Sequence, residues 1–318
     1  MNIIRGLENF KLRYPNTILT IGNFDGLHLG HQKILSTVVE RAKEIKGTSI
    51  VMTFDPHPIK VLAPERDLKL LMTFDEKVRL IEKAGIDVLF CITFNREFAN
   101  LLPDEFINRI LLERIGAKEV IVGSNYTFGK NRKGTIELLR RRGKKYGFSV
   151  KVIRSVKRNN LVVSSSTIRN LLIRGAVLET SKFLGRAYSV EGTVIKGKGR
   201  GSSLMHIPTA NITTPVEITP REGVYAVRVG LKGKIYEGVA NIGKNPTFGN
   251  GQRSYEVHIL NFSGNILKEK IRIYFIDRIR SERCFPDVDS LEEQIRQDIE
   301  KAKYILQTKY AKLLIEDT

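Results

Sequence analysis

The stretch TILTIGNFDGLHLGH, which runs from Thr17 to His31, decides the fold. Its first five residues are β-branched or apolar and predict a strand. From His31 to Ile45, apolar residues recur at helical spacing and predict a helix. The glycines between these two segments allow the backbone to turn tightly; they are Gly22, Gly26 and Gly30. A strand, a glycine-rich turn and a helix in this order predict the first unit of a parallel α/β sheet.

The same alternation continues to about Gly175. Further strands are expected at residues 50–54, 87–94, 118–122 and 149–153. Helices are expected over 76–84 and between Pro103 and Gly116, and a Lys/Arg-rich helix between the last two strands. This alternation favours a doubly wound, Rossmann-like parallel sheet.

The pattern changes after Leu184. From Tyr188 to Ile279 the segments are short, strand-like and separated by Gly, Asn and Pro, which predicts a small antiparallel barrel or sandwich. The residues Ser290-Leu291-Glu292-Glu293 predict a capping box at the start of a closing helix. We therefore expect an α/β domain over 1–184, an antiparallel β-barrel domain closed by a helix over 185–310, and a tail over 311–318.

The composition limits the class of protein. Hydrophobic content of 42% and charged content of 27% exclude a disordered or collagen-like chain of 318 residues. Cys91 and Cys284 form no disulfide framework or metal cluster, and no apolar signal core or membrane span is found. We expect a soluble, cytoplasmic protein with no membrane partner. The net charge of +19 leaves nucleic acid and polyanionic small molecules open as partners.

The turn after the first strand carries a candidate anion site. His28 and His31 lie at the start of the helix, whose free backbone amides point towards the same place. Both imidazoles can donate hydrogen bonds to a polyphosphate. The alternatives are two polar histidines beside a turn, or a metal-binding pair. The position of the motif favours a ligand site, because ligands bind at the carboxyl ends of strands in doubly wound sheets.

The pattern His28-x-Gly30-His31 after a first strand resembles the nucleotidyltransferase superfamily. The longer string from Gly22 to His31 is similar to the bacterial bifunctional flavin enzymes, in which a riboflavin kinase is joined to an FMN adenylyltransferase. The resemblance implies ATP-binding residues for adenylylation: Gly22, Phe24, Asp25, Gly26, His28, Gly30, His31, Ser165, Thr167 and Arg169. It also implies flavin-binding residues: Phe54, Asp55, Pro56, His57, Pro58, Asn125 and Phe128. Asn125 and Tyr126 depart from the usual Asp-Phe pair.

A second site is implied in the barrel domain. Pro208-Thr209-Ala210-Asn211 resembles the riboflavin kinase signature, in which Thr209 and Asn211 would serve Mg²⁺ bound to ATP. Glu256 would be the general base. The residues implied to bind ATP or flavin in this domain are Gly197, Gly199, Gly201, Pro208, Asn241, Arg280 and Phe285. The segment from Leu204 to Ile207 departs from the family pattern.

The resemblance implies two reactions: riboflavin and ATP give FMN, then FMN and ATP give FAD and pyrophosphate. Attack by the FMN phosphate needs no general base, because this group is already anionic. Two alternatives stay open. One is a single-activity adenylyltransferase with an impaired kinase domain. The other is an RNA-binding regulatory protein, motivated by twelve Lys or Arg against one acid between Lys130 and Arg158. A nucleic-acid partner is not expected, because this cluster lacks interleaved aromatic residues.

Overall fold

A computed structural model describes residues 1–10, 13–196, 208–244 and 253–308. The chain forms two compact units, Met1–Val163 and Ser164–Thr318. Residues 164–184 thus group with the barrel by their contacts, although the sequence pattern assigns them to the first domain. Among the described residues, no helix is long and apolar enough to cross a membrane.

The first unit is built on a six-stranded sheet in which every neighbouring pair is parallel. Its order is β1-β4-β3-β2-β5-β6. The strands are β1 (Asn2–Arg5), β2 (Thr17–Ile21), β3 (Ser49–Asp55), β4 (Val88–Thr93), β5 (Ala117–Gly123) and β6 (Ser149–Ile153). A two-stranded hairpin follows, formed by β7 (Lys157–Arg158) and β8 (Leu161–Val162).

Both faces of this sheet are covered. Neighbouring strand residues alternate between two apolar clusters: Leu19 and Ile50 belong to one, whereas Ile18 and Val51 belong to the other. The helices are α1 (Leu29–Glu44), α2 (Pro58–Leu62), α3 (Phe74–Lys83), α4 (Arg96–Ala99), α5 (Pro103–Glu105) and α6 (Ile136–Tyr146). This arrangement confirms the predicted doubly wound sheet.

One predicted helix differs in its winding. The segment expected to be helical from Pro103 to Gly116 consists of α5 followed by a π-helix, Phe106–Ile115. Gly116 ends it with a φ of 67°, and its N–H donates to the carbonyl of Leu111, five residues back. The apolar positions of this segment suit α and π winding alike, so the sequence pattern does not distinguish them.

The second unit contains a closed antiparallel barrel. After α7 (Ser165–Ile173) and α8 (Val177–Leu184), the strands are β9 (Tyr188–Ile195), β10 (Ala210–Thr213), β11 (Gly223–Leu231), β12 (Lys234–Lys244), β13 (Arg253–Ile259) and β14 (Lys270–Arg280). Their order around the barrel is β10-β13-β12-β11-β14-β9. Of the two architectures expected from the sequence, the barrel is therefore the correct one.

A long helix, α9 (Val288–Gln307), packs on the barrel through Ala302 and Leu306. The predicted capping box at Ser290 is wrong. The helix begins earlier, and its N-cap is Asp287, whose carboxylate accepts a hydrogen bond from the Ser290 N–H at 2.7 Å. An aspartate three residues ahead supplies the acceptor that this helix start needs.

Candidate functional sites

The turn after β2 is held in a conformation that needs glycine. Gly26 has a φ of +83°, and Phe24 and Leu27 on either side also have positive φ values, 49° and 36°. The turn is fastened by Asp25, which is 3% exposed and whose Oδ1 accepts a hydrogen bond from the Leu71 N–H at 3.0 Å. Asp25 therefore shapes the turn that leads into α1.

The two predicted histidines lie together at the start of α1. His28 is the N-cap residue, and its Nδ1 accepts a hydrogen bond from the His31 N–H at 3.3 Å. The rings stack with centroids 3.6 Å apart and an interplanar angle of 17°. Because Nδ1 of His28 is the acceptor, the proton of the neutral ring is on Nε2, where it can be donated to a ligand.

Gly30 makes this stacking possible. A Cβ at Gly30 would lie 3.1 Å from Cε1 and 3.2 Å from Nδ1 of His28, closer than ordinary van der Waals contact. Gly22 has a comparable role, since a Cβ there would lie 3.2 Å from the Phe24 ring. The glycines of the motif thus give room to the side chains that surround the helix start.

His31 is kept neutral by its surroundings. Burial, followed by the nearby His28 and Lys77, holds the pKa of His31 well below its usual value. Its Nδ1 is buried and has no hydrogen-bond partner among the described residues. The Phe24 ring meets His31 edge-on, with centroids 5.2 Å apart. His31 therefore presents a neutral imidazole at the positive end of a helix.

Lys77 is a site residue that the sequence did not reveal. It lies on α3 and is only 8% exposed. Burial lowers the pKa of Lys77, while Asp25, Cys91 and Asp55 oppose this shift. A lysine on an amphipathic helix is normally solvated, so its sequence position gives no signal of a buried charge.

The residues of the implied flavin block lie at the end of β3. Phe54 belongs to a continuous aromatic cluster whose neighbouring ring centroids are 5.4 to 6.2 Å apart; its members are Phe54, Phe94, Phe98, Phe106 and Phe128. The Asp55–Pro56 peptide bond is cis. His57 is the N-cap of α2, and its Nδ1 accepts from the Ile59 N–H at 3.2 Å, with Pro58 in the first turn. Asn125 is exposed.

The second implied ATP motif lies in the second unit, at the start of α7. The hydroxyl of Ser164 caps the helix by accepting from the Thr167 N–H at 3.2 Å, and it also bonds the Thr167 hydroxyl at 2.9 Å. Ser165, Thr167 and Arg169 all lie in the first two turns of α7. The cap was not predicted, although serine at this position is a common N-cap signal.

In the barrel, three predicted residues form one row. Asn211 on β10 and Asn241 on β12 are both in register with Glu256 on the intervening strand, β13. Their neighbours Ile212, Tyr255 and Ile242 are buried, whereas the row itself is half-buried. Alternation along the strands therefore places Asn211, Glu256 and Asn241 side by side on the outer surface of the barrel.

Glu256 has a perturbed carboxyl group. Burial, and then the nearby carboxylate of Glu282, raises the pKa of Glu256. Glu282 lies against the same part of β12: a Cβ at Gly243 would be 2.5 Å from its Oε1 and 3.7 Å from the Asn241 amide nitrogen. Glu282 follows β14 in a segment without regular structure, so no local pattern predicts its approach to Glu256.

The other predicted kinase residues lie outside this row. The guanidinium of Arg280 is bound by Asp298 of α9, with Nε 3.0 and 2.9 Å from the two carboxylate oxygens. The Phe285 ring lies 5.6 Å from that guanidinium. Pro208 and Thr209 are exposed, and the Pro208 carbonyl lies 2.8 Å from Nδ1 of His258, which agrees with a structural role for that histidine. Gly197, Gly199, Gly201 and the Leu204–Ile207 segment are outside the described residues.

The oxygen donors near Glu256 fit a magnesium ion. Asn211 is in register with Glu256, and Thr209 lies two residues ahead of Asn211, just before β10. Neutral and anionic oxygens are the donors that Mg²⁺ prefers. Within the described ranges, no group of three His, Cys, Asp or Glu side chains could hold a metal by itself. A Mg²⁺ that is completed by substrate phosphates suits such a sparse donor set.

Comparisons with known proteins match two successive parts of the chain to two different families. A family model described as FAD synthetase matches residues 11–167, and one described as riboflavin kinase matches residues 184–306. The chain therefore combines a nucleotidyltransferase domain with a kinase domain of flavin biosynthesis.

Similar proteins span nearly the whole chain. A protein of Buchnera aphidicola subsp. Schizaphis graminum, named bifunctional riboflavin kinase/FMN adenylyltransferase, is 38% identical over 95% of this chain and 98% of its own length. A Haemophilus influenzae protein of the same name is 37% identical over 95% of this chain and 98% of its own length. The Escherichia coli K12 protein of the same name is 33% identical over 94% and 96%. The chain belongs to the family of bifunctional riboflavin kinase/FMN adenylyltransferases.

A solved structure shares this fold. A Streptococcus pneumoniae protein described as a macrolide-efflux protein superimposes with a TM-score of 0.88 at 30% identity, covering 95% of this chain and 99% of its own.

Proposed function

We propose that this chain makes FAD in two steps: its barrel phosphorylates riboflavin, and its α/β unit adenylylates the resulting FMN. One observation carries the proposal. The His28–His31 pair and the Asn211–Glu256–Asn241 row lie in different compact units, each within the part of the chain that matches the corresponding family model. Two independent sites are what two successive transfers to one flavin require.

In the adenylylation step, an FMN phosphate oxygen attacks the α-phosphorus of ATP. The new P–O bond forms as the bond to the bridging oxygen breaks, and pyrophosphate leaves. The protein supplies position and hydrogen bonds. Nε2–H of His28 and the first amides of α1 are the donors at the helix start. Lys77 supplies a cation in the same unit.

In the kinase step, Glu256 removes the proton from the terminal ribityl hydroxyl. The hydroxyl oxygen then bonds the γ-phosphorus, and ADP leaves with the electrons of the broken P–O bond. A carboxylate with a raised pKa is a stronger base than an ordinary glutamate. Asn241 flanks the carboxylate on the opposite side from Asn211 and helps to hold the reacting groups.

Mg²⁺ would be held by Thr209 and Asn211 together with the ATP phosphates. When bound, it would neutralise charge on those phosphates. The placement of Asn211 directly beside Glu256 puts the amide oxygen where it can orient the nucleotide relative to the base.

The two activities are separable by mutation. Glu256→Gln is expected to abolish FMN formation from riboflavin and Mg·ATP, while supplied FMN is still converted to FAD. The double variant His28→Ala/His31→Ala is expected to do the reverse. Glu237→Gln, on the neighbouring strand β12, is the matched control and should keep both activities. Flavins are separated chromatographically after single-turnover and steady-state incubations.

Other outcomes identify the competing functions. If folded Glu256→Gln and His28→Ala/His31→Ala each lose both activities, the two-site assignment is wrong. If the wild-type chain converts FMN but makes none from riboflavin, it is a single-activity adenylyltransferase. If neither flavin is converted and the protein is retained on RNA with a steep dependence on salt, the RNA-binding alternative holds.

A further inference from the structure

A cavity of about 400 Å³ lies in the first unit, apart from the histidine turn. It is lined by two segments: the turn after β1, which contributes Leu7, Phe10 and Arg13, and the π-helix, which contributes Arg109, Ile110, Glu113 and Arg114. Its size falls within the range of small-molecule sites. The proposed flavin reactions use none of these residues.

The π winding brings two of the arginines to one side. In an α-helix, residues five apart are rotated by about 140° from each other, because each residue turns by about 100°. In a π-helix, hydrogen bonds join residues five apart, so Arg109 and Arg114 lie one above the other. Ile110, which follows Arg109 in the chain, is buried. An otherwise rare winding thus directs both guanidinium groups into the same cavity, and π-helices often mark functional sites.

The charge of the cavity is unbalanced. Arg13, Arg109 and Arg114 line it with one carboxylate, that of Glu113. Among the described residues none of these four side chains forms an ion pair, and the Arg114 guanidinium makes only a long contact of 3.5 Å with the Phe10 carbonyl. Leu7, Phe10 and Ile110 contribute apolar surface. Guanidinium groups that line one cavity suit the several oxygens of a phosphoryl group.

We propose that this cavity, between the turn after β1 and the π-helix, binds the phosphoryl group of a small phosphorylated molecule. Arg109 and Arg114 bind the group from one helix, and Arg13 binds it from the facing segment. The site is separate from the proposed transfer reactions and does not depend on them.

The test uses the full chain with its two nucleotide sites filled. The protein is saturated with Mg²⁺ and a non-hydrolysable ATP analogue, and is then titrated calorimetrically with inorganic phosphate, pyrophosphate or glycerol phosphate. One additional anion per chain is expected to bind. The three probes distinguish a free phosphate, a diphosphate and a phosphomonoester as the source of the recognised group.

Variants connect the additional binding to the cavity. Arg109→Gln is expected to weaken it by about tenfold or more, since one charge-assisted contact is lost. Arg109→Lys should retain part of the affinity. Arg141→Gln, an exposed arginine of α6, is the matched control for a change in net charge. Unchanged FAD formation by Arg109→Gln shows that the variant is folded.

Two results overturn the proposal. The first is that none of the three probes binds once the nucleotide sites are filled. The second is that Arg109→Gln and Arg141→Gln lower the affinity equally, which would show that the probes respond to net charge alone.

Discussion

Gly30 offers a test of histidine placement that leaves the backbone intact. It lies in the first turn of α1, between His28 and His31, and does not have a positive φ. The methyl group of Gly30→Ala would meet the His28 ring at 3.1 Å, so the ring must move by a few tenths of an ångström. The substitution therefore displaces one imidazole without straining the helix.

The expected effects on stability and on activity differ in size. Replacing glycine by alanine inside a helix stabilises it by about 1 kcal/mol. Moving the His28 ring weakens its cap on the His31 N–H, and a side-chain cap is worth about 1 kcal/mol. These terms nearly cancel. Adenylylation depends on where Nε2 of His28 lies, and because a shift of about 1 Å can cost about 100-fold, a few tenths should cost about tenfold.

The assay compares both reactions on one preparation. The rate of FAD formation from FMN should fall about tenfold in Gly30→Ala, whereas FMN formation from riboflavin and the thermal unfolding midpoint should stay near the wild-type values. Ser36→Ala, at an exposed position of α1, is the control for a gain in helix propensity alone. A full adenylylation rate in Gly30→Ala, or an equal loss of both activities, would refute the role given to the ring.

Three further predictions concern stability. Asp298 is 4% exposed, and its carboxylate lies 2.8 Å from the Arg280 guanidinium. Asp298→Ala leaves Arg280 unpaired and should lower the free energy of unfolding, measured in urea, by about 3–5 kcal/mol. The double variant Arg280→Met/Asp298→Leu should recover most of this loss. Because the pKa of His31 is lowered in the folded protein, the unfolded chain takes up this proton at a higher pH than the folded chain. The free energy of unfolding should therefore fall as the pH drops below about 6.5. Urea unfolding should show a steeper fall in the wild type than in His31→Gln. Gly26→Ala would force a φ of +83° on alanine and place its Cβ 2.6 Å from Leu71, which should cost about 1–3 kcal/mol, measured by thermal unfolding, and reduce adenylylation.

The fold could be predicted where strands are buried. β2 is buried at all five positions, and its apolar, β-branched sequence shows this directly. β1 was missed because Asn2–Arg5 is a mostly exposed edge strand with no alternation. β10 has no clear strand pattern, because it has only four residues, one of them buried. Local sequence patterns indicate which residues are buried, so they do not predict strands that are short or exposed.

The residues of the candidate sites also differ in how well the sequence predicts them. His28, Gly30 and His31 are neighbours in the chain, so their shared position at a helix start follows from the sequence itself. Asn211, Asn241 and Glu256 meet only through barrel register, and the resemblance to a family supplied them where no local pattern could. Lys77 was missed for the same reason, because its significance depends on burial and on carboxylates distant in the sequence.

The large positive net charge of the chain does not determine how the histidine turn attracts phosphate. Arg142 of the basic helix α6 is bound to Asp104 at 2.6 Å, and Arg141 beside it is exposed and screened by water. At the turn itself His31 is neutral, so the attraction for phosphate must come from the α1 amides and from Lys77, a single buried ammonium group. That same lysine helps to lower the pKa of His31. A neutral imidazole can donate a hydrogen bond to phosphate without repelling Lys77.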